Sequence, residues 1–215
     1  MWARILDDIM VCRARAYYSL HPKEFKARRI LDMEESKGRG EVFVRMYLAP
    51  KLKEVSLGTM KGGLENVLFK VEDCNEEGKT YSIVYEGLDR EIRCRPDMLA
   101  ILLVHRKLPR VLIFEVADTN ATTVIRSGHV IPRVMLYMMA TYLHYGTPSV
   151  GVYVSLSPSS NAPALLFVSR GRDPRKLLSL LDEVRELQTL SEPPKPSRKP
   201  PCRHCVYATT CRYAE

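Results

Sequence analysis

The sequence predicts an α/β fold with a mixed central sheet. Between Val67 and Val168, apolar and β-branched runs alternate with polar turns, as strands do. Stripes of apolar residues at helical spacing lie before, within and after that region. The helices do not follow the strands one for one, so the chain is not a regular doubly wound fold.

The elements follow in order. Residues 4–18 place Ile5, Leu6, Ile9, Met10, Arg13 and Tyr17 on a helical stripe, with Cys12 on its flank. Residues 22–37, with Lys23, Lys26, Arg28 and Arg29 among acids, read as a solvated helix or loop. Gly38-Arg39-Gly40 reads as a break before a helix from Val42 to Leu48 that ends near Pro50. Residues 51–67 fit no single pattern and contain a Gly62-Gly63 turn. The stretch ahead of the sheet, residues 1–66, is therefore a helical N-terminal part.

Strands are predicted for Val67–Val71, Thr80–Tyr85, Glu91–Leu103 and Arg110–Ala117, with Lys107-Leu108-Pro109 as a hairpin connection. Ile131–Tyr145 is a helix whose core contacts are Val134, Met135, Met138, Tyr142 and Leu143. Val150–Leu156 and Ala164–Val168 complete the strands. A last helix opens on Asp173 as cap and Pro174 in its first turn, and carries Leu177, Leu178, Leu181, Val184 and Leu187. Residues 67–190 thus form one core. Residues 191–215 are a Pro-rich linker, EPPKPSRKPP, and a cysteine-rich tail.

Composition narrows the class of function. Among 215 residues, 46% are hydrophobic and 27% charged, the balance of a globular protein rather than a membrane one. No apolar run reaches the length of a membrane span, and the N-terminus lacks a signal-peptide pattern. A cytoplasmic chain with reduced thiols is expected. The formal net charge of +8 favours a polyanionic partner, most simply nucleic acid. Arg13, Arg15, Arg203 and Arg212 lie close in sequence to the cysteines and could track a phosphate backbone.

Six cysteines are present. Cys202, Cys205 and Cys211 form a CxxC followed by a third thiol six residues on. Thiolate metal sites, of zinc or iron–sulfur type, usually take four ligands. The fourth would come from Cys12, near the other end of the chain, and the pair of ends would then be stapled together. Spacing alone does not separate zinc from iron–sulfur, and His204 inside the CxxC reads as solvent-facing. Cys74 and Cys94 read as small buried hydrophobes.

Two acids carry candidate chemistry. Asp97, in Arg95-Pro96-Asp97-Met98-Leu99, and Glu115, in Ile113-Phe114-Glu115-Val116-Ala117, belong to consecutive strands. A hairpin of this length can set both carboxylates at one end of neighbouring strands, where they could share a divalent cation. A charge inside an apolar strand needs a partner.

Asp97 followed by Glu115-Val116-Ala117 resembles the D…ExK core of the RecB-type PD-(D/E)xK nucleases. Cys12 in IMVCRARAYY and the closing Cys202, Cys205 and Cys211 are similar to the cysteine signature of the CRISPR-associated exonucleases with an iron–sulfur cluster. Arg133-Val134-Met135-Leu136-Tyr137 falls where that family has QxxxY. The resemblance spans nearly the whole chain. It implies a restriction-endonuclease-like core and a 4Fe-4S or 2Fe-2S cluster on Cys12, Cys202, Cys205 and Cys211. It further implies Mg²⁺ or Mn²⁺ on Asp97, Glu115 and the Val116 carbonyl, with Arg133 and Tyr137 facing the same cleft. The implied activity is exonucleolytic hydrolysis of single-stranded DNA or DNA ends for spacer acquisition, with the CRISPR integrase complex as a partner.

The departures define the rivals. The motif lysine falls at Ala117 and the motif glutamine at Arg133. Arg93, Arg95, Arg126 or Arg133 could supply the missing positive charge, although an arginine that stays charged is a poor proton carrier. No GxxxH histidine is found; Glu41, or more weakly Asn66, would stand in as third metal ligand. His105 reads as a surface residue, and Asp118 as a supporting acid or a turn residue. The alternatives are a degenerate DNA-end-binding or adaptor protein of the same fold, and a repair nuclease outside CRISPR.

Overall fold

The computed structural model describes residues 1–27, 38–54, 67–73, 78–104, 110–117, 128, 130–156, 164–168, 174–196, 202 and 205–214. Helices α1 (Ile5–Val11) and α2 (Arg13–Leu20) open the chain. Helix α3 runs over residues 38–54 and widens to a π-helix at Val44–Leu48. Strands β1 (Val67–Asp73), β2 (Tyr81–Ile83), β3 (Ile92–Cys94), β4 (Met98–Val104) and β5 (Arg110–Ala117) follow. Helix α4 (Ile131–Tyr145), strands β6 (Ser149–Ser155) and β7 (Ala164–Val168), and helix α5 (Pro174–Thr189) complete the order.

The architecture is mixed α/β. Five strands pair in the order β1-β4-β5-β6-β7, with β5 and β6 parallel and the other neighbours antiparallel. The parallel pair is joined through α4, since parallel neighbours need a crossover. Strands β2 and β3 form a separate antiparallel ribbon.

Side-chain alternation divides the five-stranded sheet into two packed faces. On one, Leu99, Ile101, Val111 and Ile113 join α1, α4 and α5 through Leu6, Val134, Leu136, Leu181 and Val184. On the other, Met98, Ala100, Phe114, Val116, Val152 and Val154 pack with Val44 and Ala49 of α3. Leu181 is fully buried, with 0% exposure.

Several elements differ from their expected form. The helix expected over 4–18 is two helices, because Cys12 adopts an extended backbone (φ −165°, ψ 122°). Its N–H still closes α1 on the Asp8 carbonyl at 2.8 Å, while its own carbonyl receives the Ala16 N–H at 3.1 Å. The strand expected over 91–103 is two strands in different sheets, interrupted at Arg95-Pro96-Asp97, where proline has no ladder N–H to offer. Gly38–Gly40 is helical rather than a break. Gly40 instead serves close approach, since a Cβ there would stand 3.2 Å from the Val116 carbonyl oxygen.

The helix stripes also shift. In α4, Tyr142 and Leu143 are exposed, and Leu136, Tyr137 and Ala140 take the buried positions beside Val134 and Met138. In α5, Leu178 is exposed and Leu180 is buried. In both helices part of the expected stripe holds and its flank moves to the other side, set by which helix face meets the core. The cap expected at Asp173, the hairpin at 107–109 and the residues Asn66, Cys74, His105, Asp118, Arg126, Arg203 and His204 lie outside the described residues.

Truncation of a fully buried position on α5 tests this packing. Leu181→Ala should lower unfolding free energy by roughly 2–5 kcal/mol, read as an earlier urea midpoint with an unchanged denaturant slope. The exposed Leu178→Ala should leave the midpoint nearly in place.

Candidate active site and cysteine cavity

The carboxylate pair is assembled by strand register. Met98 of β4 stands opposite Phe114 of β5, so the chain just before β4 lies beside Glu115. The Asp97 N–H donates to the Phe114 carbonyl at 3.0 Å. The Val116 N–H in turn donates to Asp97 Oδ2 at 2.6 Å. Asp97 is therefore not inside a strand, as its sequence context suggested. It is clamped at the mouth of one, next to Glu115.

Period-two alternation points Glu115 to the same face as Ile113, toward α1 and α4. There it is buried. Arg133 of α4 meets it, with Nη2 2.8 Å from Glu115 Oε1. The Nε of the same guanidinium lies 3.2 Å from Asp7 Oδ2 on α1. One buried arginine thus spans two carboxylates from two different elements. Glu115 Oε2 and Asp7 Oδ1 are buried without a hydrogen-bond partner among the described residues.

Burial raises the carboxyl of Glu115 well above the usual range, Arg133 opposes that rise, and Asp97 and Asp7 reinforce it. Asp7 is pushed up to about 6, by burial first, with Arg133 pulling the other way. Burial by itself would lower Arg133, but Asp7 and Glu115 outweigh it and the guanidinium stays charged. Tyr137, one turn along α4, is buried and held well above its ordinary value by burial and then by Glu115. It keeps its proton and can act as a hydrogen-bond donor.

The expected residues divide accordingly. Asp97, Glu115, Arg133 and Tyr137 gather at one place. Val116 belongs to it through its N–H on Asp97 and its carbonyl beside Gly40. Glu41 follows Gly40 in the same helical turn, on the other side of the sheet from Arg133. Asp7 was missed. Its only signal was an acidic pair, Asp7-Asp8, on an otherwise apolar helix stripe, which resembles ordinary first-turn acid placement. Arg93 pairs with Glu91 at 3.1 Å on the ribbon and does not join the cluster.

The absent lysine position, Ala117, closes β5. A divalent cation has a chemically suitable donor set in Asp97, the orphaned Glu115 Oε2 and the Val116 carbonyl, where Gly40 leaves space a Cβ would fill. No group of three His, Cys, Asp or Glu among the described residues is gathered closely enough to hold a metal ion as it stands.

The second assembly lies where α1 passes into α2. Cys12, Cys202, Cys205 and Cys211 line one cavity, together with Arg15 and Tyr18. All four are partly buried, and none of them forms a disulfide among the described residues. Burial raises Cys12, while backbone N–H groups of Arg15 and Ala14 donate to its sulfur and favour the thiolate. The break before α2 is what supplies those donors. Tyr18 is pushed up to about 12 by burial and then by Cys211. Tyr18 also stacks on Tyr207 of the tail, with ring centroids 5.6 Å apart. The thiol donor set suits an iron–sulfur cluster or zinc. Cys94, by contrast, is fully buried in the core, and burial pushes its thiol up to about 12.

The arginines around this cavity are engaged with acids. Arg13 meets Glu183 at 2.7 Å and Glu186 at 3.0 Å, Arg15 meets Asp8 at 2.6 Å, and Arg212 meets Glu192 at 2.8 Å. They tie α2 to α5, α2 to α1, and the tail to the linker.

No family model and no curated protein matches this chain. Among solved structures, the crystal structure of SSO0001 superposes with a TM-score of 0.46 at 14% identity, covering 100% of this chain and 87% of that one. That overlap is too loose for fold or function to be read from it. No helix among the described residues is long and apolar enough to cross a membrane.

The buried Asp7 gives a pH signature. Folded, it keeps its proton up to about pH 6; unfolded, it loses it near 3.8. The folded state binds more protons in that window, so this contribution is complete below 3.8 and lost as pH rises through 6. The shift corresponds to about 3 kcal/mol. Asp7→Asn should therefore lose less stability than the native chain between pH 4 and 6.5 in urea titrations. Equal pH slopes for the two proteins would refute the buried placement of Asp7.

Proposed function

We propose that this chain is a metal-dependent DNA exonuclease of the CRISPR-associated, RecB-like type, with a PD-(D/E)xK core and an iron–sulfur cluster. The observation that carries the reading is the meeting of Asp97 and Glu115 at one end of adjacent antiparallel strands, with Arg133 and Tyr137 against them. The substrate is single-stranded DNA or DNA ends, consistent with the net charge of +8.

Asp97, Glu115 and the Val116 carbonyl would hold Mg²⁺ or Mn²⁺, which when bound lowers the pKa of water and neutralises charge on a scissile phosphate. The protein's own residues set the stage. The Val116 N–H fixes Asp97, and Arg133 fixes Glu115 through Oε1 while leaving Oε2 available. Asp7 holds the guanidinium from behind. Tyr137, kept protonated by its surroundings, donates rather than abstracts a proton. Arg133 supplies the positive charge that Ala117 lacks, as an electrostatic clamp and not as a base.

One observation favours a second reading. The Arg133 guanidinium already neutralises Glu115 at 2.8 Å, where a catalytic cation would compete for it. Together with Ala117, this fits a degenerate DNA-end-binding or adaptor protein of the same fold.

Cleavage of end-labelled single- and double-stranded DNA, with Mg²⁺ or Mn²⁺ against EDTA, separates the two. Metal-dependent shortening that disappears in Asp97→Ala and Glu115→Ala is expected. DNA binding with no cleavage would establish the second reading, and degradation that persists in both variants would mark a contaminant. For the cluster, anaerobically purified native chain should carry iron and sulfide in near-stoichiometric amounts and absorb in the visible. Cys205→Ser should lose that absorption and melt earlier; a colourless, zinc-loaded native protein would overturn the iron–sulfur assignment.

A further inference from the structure

The chain's single tryptophan is in an unusual place. Trp2 is 49% exposed, although large aromatics usually bury most of their surface. Its backbone is nevertheless held firmly. The segment adds to the ribbon beside β3, with the Ala3 N–H donating to the Arg93 carbonyl at 2.8 Å and the Arg93 N–H to the Met1 carbonyl at 2.6 Å. Trp2 and Arg93 form a parallel bridge. Ala3 points into the core, so alternation turns Trp2 outward.

A cation accompanies the ring. The Arg95 guanidinium lies 5.2 Å from the Trp2 ring centroid. Arg95 is itself exposed, and stands two residues before Asp97, so its Cα is within about 7 Å of that of the candidate metal ligand. Arg4, also exposed, caps α1 three residues before Asp7. Its charge acts on both Asp7 and Glu115. An exposed indole on a rigid edge and two arginines thus border the carboxylate cluster. Arg13, Arg15 and Arg212 are already paired to acids.

We propose that Trp2, Arg95 and Arg4 form a nucleotide subsite at the rim of the carboxylate cluster. A base of a single-stranded polynucleotide stacks on the Trp2 indole, and its phosphates meet the two guanidinium groups. This deepens the nuclease reading and rests on it for the identity of the neighbouring site. Stacking accepts any base, because every base has a π-face, and a duplex hides those faces. Single-strand preference follows from this geometry.

Because Trp2 is the only tryptophan, its emission reports the contact directly. The native full chain is titrated in EDTA with a labelled oligothymidylate of about 12 nucleotides, following Trp2 fluorescence and label anisotropy together. Saturable quenching with the same midpoint as the anisotropy is expected. Trp2→Ala should weaken binding about fivefold or more, the smallest loss that a stacked base gives. Trp2→Phe should retain most of the affinity, and Arg95→Gln should weaken binding and flatten its salt dependence. Binding with unchanged emission, equal quenching by inorganic polyphosphate, or no binding would overturn the subsite. So would emission that changes with protein concentration alone, which would mark a contact between copies. Failure of the nuclease reading looks different. Quenching in EDTA with no cleavage in Mn²⁺ leaves the subsite standing, and cleavage without quenching does the reverse.

Discussion

The site depends on one buried cation. Arg133 reaches Glu115 of β5 with one nitrogen and Asp7 of α1 with another. Two carboxylates in that apolar layer would be costly without it, and a lone guanidinium there would be costlier still. The three charges therefore exist only as a set. Because they come from the first helix, the fifth strand and the helix after it, the set aligns three elements at the point where the sheet opens. The orphaned oxygens of Glu115 and Asp7 show that the set is not saturated from within the described residues.

The cysteine cavity is a second closure, and it shares a helix with the first. Helix α1 carries Asp7 into the carboxylate cluster and ends at Cys12, which enters the cavity with the tail cysteines. The extended backbone at Cys12 is the hinge between the two. It releases α2 in a new direction and exposes the N–H groups of Ala14 and Arg15 to sulfur. Arg15 then binds back to Asp8, which also accepts from Ser19 at 2.8 Å. Short contacts through Asp8 and α1 thus run from the cysteine cavity to the carboxylate cluster. The basic residues near the tail contribute to this bracing.

Much of the framework was legible. Strands β5 and β7 and helix α4 have the ends that apolar patterning assigns them, because long buried runs and a Pro-opened helix leave little choice. Spacing groups Cys202, Cys205 and Cys211, Cys12 is their candidate fourth partner, and all four share a cavity. The failures are of one kind. Residues 4–18 and 91–103 each carry a continuous pattern through a break, because a hydrophobic stripe says nothing about a turn of the backbone at Cys12 or Pro96. Leu178, Tyr142 and Leu143 were misassigned because periodicity defines a stripe's spacing but not its angle to the sheet.

The sequence by itself determined the class of the fold, the neighbouring segments that bring Asp97 and Glu115 together, and the three tail thiols with Cys12 as the candidate fourth, since these follow from local periodicity, spacing and donor chemistry. Only the tertiary structure decided the partners: that Asp7 stands behind Arg133, that Gly40 gives room at the Val116 carbonyl, and that Trp2 lies beneath Arg95. Each of these joins residues from separate elements. Their meeting depends on sheet register and helix direction, which no local pattern of residues encodes.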